Sequence, residues 1–343
     1  MGEADTQYLT GLRAIAALLV FVAHSDGLGL RSLGKLGNNF VDNSKFGVAM
    51  FFVVSAYCLC LVTADAWGGR RTDWRAFYVR RAFRILPAYF VALASYSALL
   101  LWRGIAPPDL AISLLSHFTF ANIFDAKHAH DIFIEWTVVV EVAFYLLFPL
   151  FLWLARGIRW AMIIVALLLS WRALRLSFIG WIGGAFADNA YFTLPFHIYA
   201  FAFGIAAFVV TRKQPINRWI SEGIVWLSLF YWLWATIQPD DTTNAVPITY
   251  AVAGFVVGAA NPDTLIARSL RWRPLMWIGS ISFSIYLTHT AVLSFSPGGT
   301  ANSWLALILT IAISALAFQF IEEPARQCGR RLSVLRPALP ALA

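Results

Sequence analysis

Residues Thr10–Ser25 read TGLRAIAALLVFVAHS. The stretch is apolar enough for a helix in hydrocarbon, yet it holds Arg13 near its start and His24 near its end. Both side chains are costly to place there. Eleven positions separate them. At 3.6 residues per turn that is close to three full turns, so the two lie near one face of a helix. At 1.5 Å per residue their backbones stand roughly 16 Å apart, about half the hydrocarbon thickness. One helix face thus carries a cation near one membrane surface and an imidazole deeper in.

The rest of the chain supports a membrane setting. Of 343 residues, 60% are hydrophobic and 13% charged, where a soluble domain carries about 25% charge. The mean hydropathy is +0.69, and apolar segments leave no room for a large soluble domain. The acidic start MGEADTQ lacks the basic region and cleavage site of a signal peptide, so the first apolar segment is expected to be retained. Cys58 and Cys60 lie inside an apolar run and Cys328 in a basic tail. That distribution argues for packing and against a disulfide framework or a zinc site.

Ten candidate spans follow from the apolar blocks, at roughly 9–25, 46–64, 83–102, 133–155, 160–178, 190–211, 218–236, 246–261, 275–295 and 303–322. The apolar stretch 110–124 is short and reads as a re-entrant or interfacial segment. The expected architecture is an all-α polytopic bundle of about ten transmembrane helices. Residues 1–326 form its membrane-embedded domain and 327–343 a basic cytoplasmic tail. Basic residues mark one set of loops: Arg70, Arg71, Arg75, Arg80, Arg81 and Arg84, then Arg156 and Arg159, then Arg212, Lys213 and Arg218, then Arg268, Arg271 and Arg273. The opposite loops, IQPDDTTNA and SPGGTAN, contain none. This alternation predicts both termini in the cytoplasm. It also accounts for the net charge of +8 without nucleic-acid binding. The expected location is the inner (plasma) membrane.

Several polar groups interrupt the spans. His24 suits a general base or an acyl carrier. Arg81 and Arg84, three apart at the start of the third span, share a helix face. Such a pair could grip the phosphates of a nucleotide-bearing donor or simply anchor the helix. Glu141 sits within the apolar run of EWTVVVEVAFYLLFPLF and needs a partner, for which His24 and Arg13 are the candidates. Arg103, Arg172 and Arg175 lie on the outer side, against the charge bias. They either snorkel or touch an anionic substrate. His289 falls in a Ser- and Tyr-rich seam, ISFSIYLTHTAV, read as interhelical packing. Glu322 and Glu323 precede Pro324 and read as a helix terminus. HAHD at 128–131 has no second cluster, so no metal site is expected.

Taken together, these stretches resemble the acyltransferase 3 family of integral membrane acyltransferases, from Leu9 to about Arg326. LRAIAALLVFVAH is similar to the family's first-helix motif of a basic residue, ten residues and a His, at Arg13 and His24. FFVVSAY resembles its second-helix pattern, with Ala56 where Gly is common. RRAFRILPAYF matches its RxxR motif at Arg81 and Arg84. WTVVVEVAFY resembles a further pattern at Trp136, Glu141, Phe144 and Tyr145, and SFSIYLTH and IEEP its closing segments.

The resemblance implies a membrane O-acyltransferase with no permanently bound cofactor. It would move an acyl group, acetyl above all, from cytoplasmic acyl-CoA to a sugar hydroxyl of an exported or lipid-linked glycan, such as an exopolysaccharide or lipopolysaccharide precursor. Arg81 and Arg84, with Arg13, would hold the donor phosphates. His24 would act as base or acyl carrier, oriented by Glu141. Trp136, Tyr145, Arg172 and Arg175 would line the acceptor side. The expected partners are acyl-CoA, the glycan acceptor and membrane lipids, for a standalone membrane enzyme. A transporter or flippase for a glycolipid or small solute would also carry intramembrane Arg, His and Glu. Such proteins often show two related halves, and the sequence contains no matching pair of broken helices.

Overall fold

A computed structural model of the chain describes residues 6–67, 72–123, 136–154, 193–212, 216–239 and 245–334. The expected span 160–178, with Arg172 and Arg175, lies outside these residues, as does HAHD.

Every regular element described is helical, as hydrocarbon requires: backbone polar groups there must be satisfied within the segment itself. The helices used below are α1 (Gln7–His24), α2 (Lys35–Asn43), α3 (Gly47–Val62), α4 (Trp74–Arg103), α5 (Leu110–Thr119), α6 (Trp136–Leu154), α7 (Leu194–Thr211), α8 (Arg218–Thr236), α9 (Ala245–Ala259), α10 (Leu265–Leu270), α11 (Arg273–Ser280), α12 (Ser282–Leu293), α13 (Thr300–Ala317) and α14 (Glu323–Val334).

Among the described residues, six helical stretches are long and apolar enough to cross a bilayer, and a seventh if α11 and α12 count as one span bent by 71°. The ten-span expectation therefore holds only in its coarser form, a bundle of several apolar helices. The expected span 246–261 is an apolar helix of about 22 Å, short of the ~30 Å hydrocarbon core. The segment 110–124 contains only the ten-residue α5. The helix stops at Phe120, which adopts a left-handed backbone (φ 57°), and a 3-10 turn follows at Ala121–Ile123.

α4 is longer than the sequence pattern implies. Its N-cap is Asp73, whose carboxylate accepts from the Ala76 amide. Pro87 therefore lies well inside the helix rather than in its first turn, and it deprives the Phe83 carbonyl of its usual i+4 donor. At the other end of the chain, α13 passes into α14 through a π-helical turn, Phe318–Glu322. Such turns insert an extra residue and redirect side chains, often at functional positions.

α1 runs through the centre, packed on α3, α10, α11 and α12. Its approach to two neighbours is a backbone contact. A Cβ on Gly11 would stand 2.1 Å from the Leu270 carbonyl oxygen, and one on Gly279 would stand 2.0 Å from that of Thr10. Only glycine permits such closeness, the usual route to tight helix association in membranes. Around this axis, Tyr57, Phe144, Phe148 and Phe201 are fully buried core rings. Phe144 and Phe201 stack at 3.9 Å between centroids, joining α6 to α7.

Candidate functional site

The first half of the site is a cavity of about 60 Å3 between α1, α3, α4, α6 and α12. Arg13, Arg81, Arg84 and Glu141 all line it, with Ser55 and Cys58. The three-residue spacing of Arg81 and Arg84 turns both guanidinia to this wall. The Arg81 guanidinium sits over the rings of Phe77 and Tyr145, each 5.7 Å from the centroid. Glu141 is fixed by two hydroxyl donors. Ser55 Oγ donates to its Oε1 at 2.6 Å, and the Tyr145 hydroxyl donates to the same oxygen.

Among the described residues, no ion pair joins Arg13, Arg81 or Arg84 to a carboxylate. Two acidic groups act on them from longer range: Glu141 and Glu322 both exert an attractive charge interaction on Arg13 and Arg84. Cations within a membrane bundle ordinarily pair closely. Three forked donors on one cavity, with no tight carboxylate partner among the described residues, have the chemistry to hold a multivalent anion such as a phosphate.

The second half lies at the far end of α1. His24 Nδ1 is 2.7 Å from the Val20 carbonyl oxygen, so Nδ1–H donates and Nε2 carries the basic lone pair. The His289 ring, on α12, packs against it edge to face with centroids 5.2 Å apart. His289 Nδ1 lies 2.7 Å from the Tyr286 carbonyl oxygen. This leaves its Nε2 an unprotonated acceptor, buried and without a hydrogen-bond partner among the described residues. Beyond His24, the Asp26 carboxylate accepts from the Gly299 amide and the Asp26 amide donates to Ser303 Oγ. These bonds tie the end of α1 to α13.

The structure thus brings Arg13, Arg81, Arg84 and Glu141 together and leaves His24 apart from them. Glu141 shares the arginine end of α1 and makes no hydrogen bond or ion pair with His24 among the described residues; its hydroxyl donors are Ser55 and Tyr145. The imidazole's neighbour is His289, which the sequence reading gave to packing. Trp136 is a core ring, 5.0 Å from His197 and 6.5 Å from Phe52, and does not line the arginine cavity. Tyr145 is buried on Glu141. Glu322, read as part of a helix terminus, is a buried carboxylate whose Oε2 accepts from Ser284 Oγ at 2.9 Å. A glutamate beside a proline carries no signal that would have revealed this. His289 had one, a second intramembrane imidazole.

Comparison with known proteins bears on the chain as a whole. A family model described as an acyltransferase domain matches residues 6–321. YrhL of Bacillus subtilis (strain 168), described as a candidate peptidoglycan O-acetyltransferase, is 26% identical over 94% of this chain and 55% of its own length. The O-acetyltransferase OatA of Staphylococcus aureus (strain NCTC 8325 / PS 47) is 24% identical over 96% of this chain and 58% of its own. The peptidoglycan O-acetyltransferase OatA of Listeria monocytogenes is 24% identical over 94% and 56%. The chain spans a little over half the length of these relatives. No solved structure matches it.

Proposed function

The chain belongs to the acyltransferase family whose model covers it, and we propose that it is a multi-pass O-acetyltransferase of the inner membrane. Its donor is cytoplasmic acyl-CoA and its acceptor a sugar hydroxyl of a cell-envelope glycan. The observation that carries the donor half is the cavity of three arginines with no carboxylate in direct pairing among the described residues. Coenzyme A offers the phosphates such a cavity would take. The basic loops support a cytoplasmic opening for it. The relatives' names make peptidoglycan the first acceptor to try, with exopolysaccharide and lipopolysaccharide precursors next.

His24 supplies the chemistry. In direct transfer its Nε2 takes the proton of the acceptor hydroxyl while the oxygen attacks the thioester carbonyl carbon. The C–S bond breaks, and the proton passes to the leaving thiolate. In a two-step route Nε2 attacks the thioester carbon first, the C–S bond breaks and the sulfur leaves as thiol with the Nδ1 proton; the acceptor oxygen then attacks the acyl carbon, the C–N bond breaks and the hydroxyl proton returns to the imidazole. Both routes need the lone pair that the Val20 hydrogen bond leaves on Nε2.

The test uses membranes with matched levels of the wild type and His24→Ala, supplied with labelled acetyl-CoA. Label entering extractable glycan only with the wild type is the expected result. Equal label in both removes His24 from the reaction. No label in either, with peptidoglycan and glycolipid acceptors present, overturns the acetyl-CoA reading.

A further inference from the structure

Arg103 stands against the charge bias that marks the cytoplasmic loops, and neither half of the candidate site contains it. It ends α4 beside a groove of about 1010 Å3, walled by α4 on one side and by α12 and α13 on the other. The lining is almost wholly apolar, with Leu99, Trp102, Leu309 and Ile313 among it. Along α13 and the π-helical turn it runs from Asn302 to Ile321, a rise of roughly 28 Å. That is close to the whole ~30 Å hydrocarbon core and about twice the depth of one leaflet. The charge sits at the Asn302 end. Arg103 Nη2 donates to the Ser294 carbonyl oxygen at 2.7 Å, and its guanidinium lies 4.4 Å from the ring centroid of Phe295, which lines this end with Trp102. The fork is thus held by two contacts, and among the described residues no carboxylate pairs with it. Its remaining N–H donors suit a phosphate. The imidazole lies at the same end. Asn302 adjoins Ser303, whose Oγ accepts from the Asp26 amide, two residues past His24. One turn on, Ala306 of the lining packs on Phe21 of α1.

On the reading that the acceptor is a cell-envelope glycan, we propose that this groove seats the acceptor's own lipid anchor, a single-chain lipid phosphate of the polyprenyl class. Arg103 takes its phosphate, and the attached sugar stands at the His24 end of α1. The length of the groove selects this occupant. A diacyl phospholipid reaches only to the bilayer midplane and fills half of it, whereas a chain longer than one leaflet fills it all. Lipid tails are as apolar as the groove wall, so the wall contributes packing rather than hydrophobic drive. The phosphate contact therefore carries the preference over an uncharged lipid of the same length.

The experiment uses the full chain in phosphatidylcholine nanodiscs and native mass spectrometry to measure retention of three probes: a long-chain polyprenyl phosphate, the matching polyprenol and phosphatidylglycerol. The wild type is expected to prefer the polyprenyl phosphate about tenfold over each of the others. Arg103→Gln is expected to lower its retention to that of the polyprenol and to leave the polyprenol unchanged. Leu309→Trp, which fills the groove midway, is expected to weaken both polyprenyl probes. Ile308→Trp, at an exposed neighbouring position outside the lining, is expected to bind as the wild type does. Where Leu309→Trp does not fold, Arg103→Gln decides. Equal retention of phosphatidylglycerol and polyprenyl phosphate makes the groove an ordinary lipid site and overturns the inference. So does an undiminished phosphate preference in Arg103→Gln. Retention requires no acyl transfer, so the two readings fail separately. A wild type that prefers polyprenyl phosphate yet acetylates no glycan overturns the acetyltransferase reading and supports the lipid site. One that acetylates glycan without that preference overturns only the lipid site.

Discussion

His24 and His289 meet edge to face at an interplanar angle of 65°, and each donates its Nδ1–H to a carbonyl of its own helix. Each ring thereby keeps an unprotonated Nε2, one on the exposed ring of His24 and one buried on His289. If His24 performs the transfer, His24→Ala lowers the rate by about 10² to 10⁴-fold. His289→Ala leaves the base in place but removes the ring that packs on it, and lowers the rate by about tenfold. The double variant is no slower than His24→Ala alone, because contacting residues that act as a unit are not additive. Initial rates of label transfer at saturating acetyl-CoA measure all three.

On the proposed function, Arg81 and Arg84 act on donor affinity. Replacing either by Lys keeps the charge and loses the planar fork. The expected result is a KM for acetyl-CoA raised about tenfold with kcat within a factor of about three, since uniform binding is lost and transition-state binding is not. Arg81→Lys also weakens the packing over Phe77 and Tyr145. A change in kcat with KM untouched counts against a donor role.

Cys58 lines the same cavity as the arginines, whereas Cys60 is fully buried and Cys328 is exposed on α14. Coenzyme A is expected to slow alkylation of Cys58 by a small maleimide and to leave Cys328 unaffected. Mass spectrometry of peptides from labelled protein reads the two thiols separately. With the basic α14 on the cytoplasmic side, as the charge bias predicts, an impermeant reagent added to sealed cells should reach Cys328 only after permeabilisation. Labelling from outside reverses the proposed orientation.

Gly279→Ala tests the central packing. Its Cβ would meet the Thr10 carbonyl oxygen at 2.0 Å, and a backbone atom cannot swing aside. Overpacking of this kind costs about 1–3 kcal/mol. The thermal midpoint in detergent falls, and because α1 is displaced, transfer falls with it. Gly223→Ala, at a position with no atom within 4 Å of the added carbon, serves as the neutral control.

Much of this was legible in the chain. Apolar blocks located most spans, because length and hydropathy suffice where lipid is the solvent: 9–25 became Gln7–His24 and 190–211 became Leu194–Thr211. The shared face of Arg81 and Arg84 followed from helical spacing, and both reached the cavity. Three features did not follow. The span read at 275–295 breaks at Ile281, and nothing in its hydropathy marks the bend. Glu322 turns inward through a π-helical turn, which shifts the helical phase that a regular 3.6 period assumes. His289 finds His24 across the bundle, a tertiary pairing that no local pattern encodes. The arginine–imidazole spacing was readable because it lies within one helix; the division of partners between Glu141 and His289 needed several.

α1 is gripped backbone to backbone at Gly11 and Gly279, so it can neither slide nor bend readily. The roughly 16 Å between Arg13 and His24 is therefore a fixed length. A molecule anchored by its phosphates at one end is measured against that length. Only a donor whose reactive carbon hangs on a tether of matching reach presents it at the imidazole. On the proposed function, the helix would work as a gauge, selecting the carrier by the length of its arm and leaving the identity of the small group at the tip comparatively free.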